Sequence, residues 1–407
     1  MTWDDPAGGY DTGTRPSAID VLLNGQRIPL DEAVFVALLE NSVARTYAAY
    51  GKAVETKSIS FSELVDLARH GEIPYTLFFA PLTLVEAQLN AKTSKLLSGL
   101  SKDTFSVNSR AEVNLRDIEL IVKDLLRKQE LLKKHDDTLV KNKIVGLLRK
   151  PGDSVEADAT RLMAALGLTH EAMCSAGTKA KALEHLVERL EANQVLVSQS
   201  VNNFMPQRLV GVDCSGMTIR DAKVPYIFLA GGEFGDYQEP VGRRIFTLTL
   251  MSVLIARRIF APVTYDGNSI GSAHEREYDI VGEILMPRGV LLDMRLTCVD
   301  EVKDAADVFK VTPSAVAVRA MRIGMLDWHE ATSHLAELAQ EFSRRAKPQS
   351  RQPRPVNAIR KYNGREFSVR MIGALDAGKI SAGEFCRVVC LNRIKPTEIN
   401  DFRSALS

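Results

Sequence analysis

A chain of 407 residues has room for two or three domains, and its 45% hydrophobic and 25% charged content excludes a disordered or fibrous protein. A formal net charge of +1 excludes a whole-chain basic field for nucleic acid and leaves local patches as the electrostatic footprint to look for. No apolar run reaches the roughly 18–20 residues of a membrane span. Five scattered cysteines (Cys174, Cys214, Cys298, Cys386, Cys390) form no disulfide pattern and suit a reducing cytoplasm.

Residues 1–18, rich in Gly, Asp, Thr and Pro, read as a mobile tail with no signal-peptide pattern. From Ile19 to about Pro81 the spacing predicts mostly helix. Asp31 is placed to cap the run that follows it, and Ser60 and Glu63 are spaced for a capping box. Residues 96–114 read as a loop. Helices are expected over 115–134 and 138–149, the first with Ile118, Ile121, Val122 and Leu125 on one face, before Pro151-Gly152 breaks the chain. Helices over 156–166 and 179–191 follow.

After residue 195 the texture changes. Apolar runs at 195–197, 209–212 and 225–229 read as strands, with helices at about 241–258 and 275–286 behind them. Residues 347–355 form a basic, proline-rich linker, and helical pieces at 366–377 and 382–404 close the chain. The expected class is α+β, predominantly helical. Its divisions are a helical N-terminal region (19–100), a helical linking region (101–194), a mixed core (195–295), a helix-turn-helix-like region (296–346) and a C-terminal helical segment (356–407).

The run Arg243-Arg244-Ile245-Phe246-Thr247-Leu248-Thr249-Leu250-Met251-Ser252-Val253-Leu254 resembles the "RRFTLAHELGH" helix of the ImmA/IrrE metallopeptidases, and Gly282-Glu283-Ile284-Leu285-Met286-Pro287 is similar to that family's "AAELLMP" helix ending. Further pieces occur in the family's order: residues 73–81 resemble "VPFGYLFLPEP", residues 127–131 "RRQDWLR", residues 218–229 "ALSDPYAPLIFIN", and residues 301–326 the helices after the peptidase part. The resemblance spans roughly residues 58–407. It implies a zincin-like core with a small three-stranded sheet beside the would-be zinc helix, preceded by a degenerate XRE-like region of which the helix at 61–70 is matched.

In active members two His four residues apart on one helix bind zinc, the intervening Glu activates water, and a third carboxylate comes from the helix before "LLMP". Carried over by position, the ligands become Leu250 and Leu254, the general base becomes Met251, and the third ligand falls at or near Arg276. None of these side chains offers zinc a good lone pair, and Arg is always a cation. The expectation is therefore no metal and no cofactor. Apolar replacement avoids an unpaired-group cost of about 1–3 kcal/mol and adds roughly 1.5–3 kcal/mol of burial per side chain.

Two sets of residues stand as alternatives for a metal. His274, Glu275 and Glu277 flank Arg276 one residue out of register, and their plain reading is a charged first helical turn. His329 and His334 are five apart, about 140° around a helix, and cannot face one ion. Gly231-Gly232-Glu233-Phe234-Gly235 lacks the Lys-Ser/Thr of a phosphate-binding loop, and Ser215, Ser252 and Ser272 sit in no hydrolase motif.

The hairpin around Val311-Thr312-Pro313 offers Arg319 and Arg322, and the stretch opening the last helix offers Lys395, as phosphate contacts. Three functions follow as expectations. The first is an inactive ImmA/IrrE-type regulatory protein that binds a protein partner: a transcription regulator, toxin or phage factor of a mobile element. The second is a DNA-binding regulator, and the third an active zinc peptidase with unusual ligands.

Overall fold

A computed structural model describes residues 17–40, 42–97, 105–106, 115–201, 203–209, 212, 214–231, 239–264, 276–344 and 353–406. The protein is α+β and predominantly helical, with two small sheets. No helix among the described residues is long and apolar enough to cross a membrane. The chain divides into two compact units, Met1–Lys95 and Leu96–Ser407. The expected tail lies almost wholly outside the described residues, as does the linker up to residue 352.

The first unit is mostly helical, as its spacing predicts, but it opens on a small sheet that the spacing does not show. Strands β1 (Ala18–Leu23) and β2 (Gln26–Asp31) form an antiparallel hairpin, and β3 (Ser58–Ser60) joins β1 in parallel to give the order β2-β1-β3. The cause is Asn24-Gly25. Both residues take positive φ (49° and 79°), the twist a two-residue hairpin turn requires. Ile19 and Val21 alternate inward and are fully buried. Helices α1 (Glu32–Glu40), α2 (Ala48–Thr56), α3 (Phe61–His70) and α4 (Leu82–Leu97) complete the unit. Both caps read from sequence are present: Asp31 accepts the Ala33 N–H at 2.8 Å, and Ser60 with Glu63 closes a capping box.

The second unit is built on a five-stranded sheet rather than three strands. Its strands are β4 (Phe105–Ser106), β5 (Leu196–Gln199), β6 (Gly216–Ile219), β7 (Tyr226–Leu229) and β8 (Pro262–Thr264), in the order β4-β8-β6-β7-β5. Pairs β4/β8 and β5/β7 are parallel; β6 is antiparallel to both its neighbours. Helices precede and interleave with the sheet: α5 (Leu115–His135), α6 (Val155–Leu166), α7 (His170–Ser175), α8 (Lys179–Glu191), α9 (Val241–Arg257) and α10 (Arg276–Leu285). After them come α11 (Arg288–Leu292), α12 (Val299–Val308), α13 (Pro313–Arg322), α14 (Trp328–Arg344), α15 (Pro355–Asn363), α16 (Arg365–Asp376), α17 (Ala382–Glu384) and α18 (Ile399–Ser404).

The period-2 alternation of the strands divides the core. Val197, Ile227, Leu229 and Val263 face a cluster with α6, α8, α9, α10, α12 and α13. Leu196, Met217, Ile219, Tyr226 and Phe228 face a second cluster with α5, α15 and α16. Both faces are thus covered. The helix-turn-helix-like and C-terminal segments belong to this unit's cores, not to regions of their own.

Two further expectations fail. Residues 138–149 form turns, not a helix: the Asn142 carboxamide oxygen accepts the N–H groups of Ile144 (2.8 Å) and Val145 (3.2 Å), and Gly146 takes φ +78°. Leu209 and Val212 are joined by a turn hydrogen bond of 3.1 Å rather than lying in a strand; Val210 and Gly211 are outside the described residues.

Candidate functional site

Helix α9 is apolar almost all round and is sandwiched between the sheet, α8 and α10. Two of its hydroxyl side chains bond back onto the helix itself. Thr249 Oγ1 donates to the Ile245 carbonyl at 2.9 Å and Ser252 Oγ to that of Thr249 at 2.6 Å. Arg258 ends the helix in the left-handed conformation, returning its N–H to the carbonyls of Ile255 and Leu254.

Leu250, Met251 and Leu254 are each 0% exposed. The thioether of Met251 lies against Gly216 of β6. A Cβ at that glycine would stand 2.8 Å from Met251 Sδ, 2.9 Å from its Cε and 2.5 Å from the Phe228 carbonyl oxygen. The position matched to the general base is therefore core, wedged into a gap that only glycine leaves in the strand.

Arg276, matched to the third ligand, opens α10 and is spent on a different task. Its Nε and Nη2 donate to Asp158 Oδ2 at 3.0 and 2.8 Å, and Nη2 also reaches the carbonyls of Gly152 (2.9 Å) and Ser154 (3.0 Å). Asp158 on α6 is fully buried and also accepts from the Gly152 N–H and from Arg161. Burial pushes its carboxyl upward, but the Arg276 hydrogen bond, the Gly152 N–H and the adjoining positive charges hold it below the usual carboxylate range.

The neighbouring alternatives fare no better as ligands. Glu277 is paired with Arg257 at 3.1 Å, and Arg257 also holds the Leu148 carbonyl. His274 and Glu275 lie outside the described residues, while His329 is exposed and His334 half-buried on α14. Among the described residues no three His, Cys, Asp or Glu side chains gather as a metal-holding group. The leading glycines of the strand-to-helix connection, apart from Gly231, are also outside the described residues, as is Ser272.

The arginines expected to meet phosphate turn inward. Arg319 is 6% exposed; its guanidinium bonds Glu283 and reaches the Met286 carbonyl, passing over Gly282, whose missing side chain makes room. Arg322 pairs with Asp279, Nε to Oδ1 at 2.9 Å. Both ion pairs fasten α13 to α10, which corrects the reading of these two side chains as phosphate contacts. Lys395 is exposed, and its backbone N–H is capped by Glu398 at 2.7 Å.

A buried polar cluster that sequence reading missed lies on the opposite side of the sheet. Lys128 is 1% exposed, with Nζ 2.9 Å from Asp124 Oδ2 and 3.9 Å above the centre of the Tyr362 ring, while Tyr362 donates its hydroxyl to the same carboxylate at 2.7 Å. Burial lowers the Lys128 ammonium, opposed by the attraction of Asp124. Nearby, Glu191 accepts the Glu366 N–H at 3.1 Å, and burial raises its carboxyl to about 7. The sequence signal is faint, because an Asp and a Lys four apart have the spacing of any surface helix pair.

Comparison with protein-family models, curated proteins and solved structures finds no match to this chain.

Proposed function

We propose that this chain is a degenerate relative of the ImmA/IrrE metallopeptidases, with a zincin-like core, that acts by binding a protein partner without cutting it. The partner class is a transcription regulator, toxin or phage factor. The observation that carries the reading is the Met251–Gly216 contact: apolar side chains at the three motif positions are built into the sheet's core. A mixed sheet beside a buried helix, with a second helix packed across it, supports the scaffold side of the reading. Arg276 supports the loss of chemistry, because a cation committed to Asp158 stands where a ligand belongs.

Elemental analysis of purified full-length protein, together with co-expression with whatever regulator, toxin or phage factor its neighbouring genes encode, tests the proposal. The expected result is far less than one zinc per chain and a stable complex in which intact mass shows the partner whole. One tightly held zinc per chain, or a partner cut at a defined bond, would overturn it.

A further inference from the structure

The turn-rich stretch that replaces the expected helix at 138–149 is basic and is held on ordered backbone. Residues 138–152 contain Lys141, Lys143, Arg149 and Lys150 and no acid, in a protein whose net charge is only +1. The stretch is firmly anchored. The Asn142 N–H donates to the Ala222 carbonyl at 2.9 Å and its carboxamide to that of Asn193 at 2.9 Å. Further along, the N–H groups of Gly146 and Leu148 donate to the carbonyls of Ile255 and Ala256.

These bonds set Lys141 and Lys143 beside Lys223 in the β6–β7 turn, and Arg149 and Lys150 beside Arg258 at the end of α9. All six cations are exposed, and among the described residues none makes a side-chain ion pair. Of the flanking acids, Asp221 is paired with Lys133, Asp136 with Arg370 and Asp137 with Lys379, and the exposed Asp153 follows the stretch.

Like charges held together on a rigid backbone repel one another, and a polyanion that releases its condensed counterions relieves that repulsion. Which polyanion is decided by what the band lacks. Val140 is its one large exposed apolar side chain among the described residues, so there is no aromatic anchor for a protein interface and no platform on which unpaired bases would stack. We propose that the 139–150 loop, with Lys223 and Arg258, is a docking surface for the phosphate backbone of a nucleic-acid duplex, contacted without regard to base sequence. This site is independent of the partner-binding reading.

The test is fluorescence anisotropy of the full chain on labelled duplexes of about 30 base pairs, DNA and RNA in parallel, from about 50 to 200 mM salt. The expected result is binding indifferent to sequence, with log affinity falling against log salt at a slope of about −3 to −5 on at least one duplex. Lys141→Gln/Lys143→Gln/Arg149→Gln/Lys150→Gln should bind about 10- to 100-fold more weakly, with a slope shallower by about 3. Lys223→Gln/Arg258→Gln, outside the loop, should make it shallower by about 2 and serves if the fourfold variant does not fold. No duplex binding at the lowest salt, folded variants that bind like the parent, or polyglutamate binding as tightly as duplex would each overturn the proposal.

Discussion

Glu191 and Glu366, 175 positions apart in sequence, meet through a 3.1 Å hydrogen bond from the Glu366 backbone N–H to the Glu191 carboxylate. The contact supplies the first turn of α16 with an acceptor that its own N-cap, Gly364, does not have. It also places a buried carboxyl where its charge is costly.

That cost makes stability depend on pH. Burial raises Glu191 from 4.5 to about 7, against the pull of the Glu366 and Val197 N–H groups and of Arg365 and with the push of the Glu366 charge. The folded chain then holds a proton that the unfolded chain has released, so this group's stabilisation is complete below about pH 4.5 and is lost as pH rises to about 7. The loss approaches roughly 3 kcal/mol. Urea denaturation of the parent and Glu191→Gln from pH 5 to 8 should show the parent losing stability relative to the variant as pH rises. Glu239, raised to about 7 by burial, imposes a second fall that the variant keeps. Parallel curves would remove Glu191 from the account.

Removing Arg276 should unfasten α10 from α6. Arg276→Ala is expected to cost about 2–3 kcal/mol, below the range for a fully dry pair, because its side chain is 31% exposed and Arg161 still serves Asp158. Asp158→Ala should cost more, since it strands Arg276 and leaves the Gly152 N–H without its acceptor. Chemical denaturation of both variants checks the order.

Restoring the motif should not restore a zinc site. Leu250→His/Met251→Glu/Leu254→His would press a carboxylate toward Gly216 and the Phe228 carbonyl, lowering stability by several kcal/mol. Added zinc should leave the variant's melting temperature unchanged. A zinc-dependent rise would mean that the core can still open into a cleft.

Lys128 and Asp124 offer a cleaner dissection. Lys128→Met alone should cost about 3–5 kcal/mol by leaving the Asp124 carboxylate buried with one neutral donor, Tyr362. Lys128→Met/Asp124→Asn removes both charges and keeps an acceptor for that hydroxyl, and should recover most of the loss. A double-mutant cycle measures the coupling.

Where local chemistry and tertiary packing agreed, the sequence was a good guide. Lys179–Glu191 begins and ends as read, because Thr178 caps it and Leu186 and Leu190 keep the helical stripe. It misled where a single residue overruled periodicity, as with Asn24-Gly25 in the first hairpin and Asn142 with Gly146 in the basic loop. At the motif positions residue type was legible and depth was not, because burial on β6 depends on Gly216, 35 residues upstream of Met251. The inward turn of Arg319 was equally hidden, since it rests on the gap above Gly282.

The second face of the sheet is finished by side chains near the end of the chain, among them Tyr362, Phe367 and Phe402. During synthesis, Tyr226 and Phe228 emerge from the ribosome long before the helices that cover them. Until α16 and α18 have been made only part of that greasy wall is covered, by α5, so this face closes through contacts of long sequence separation.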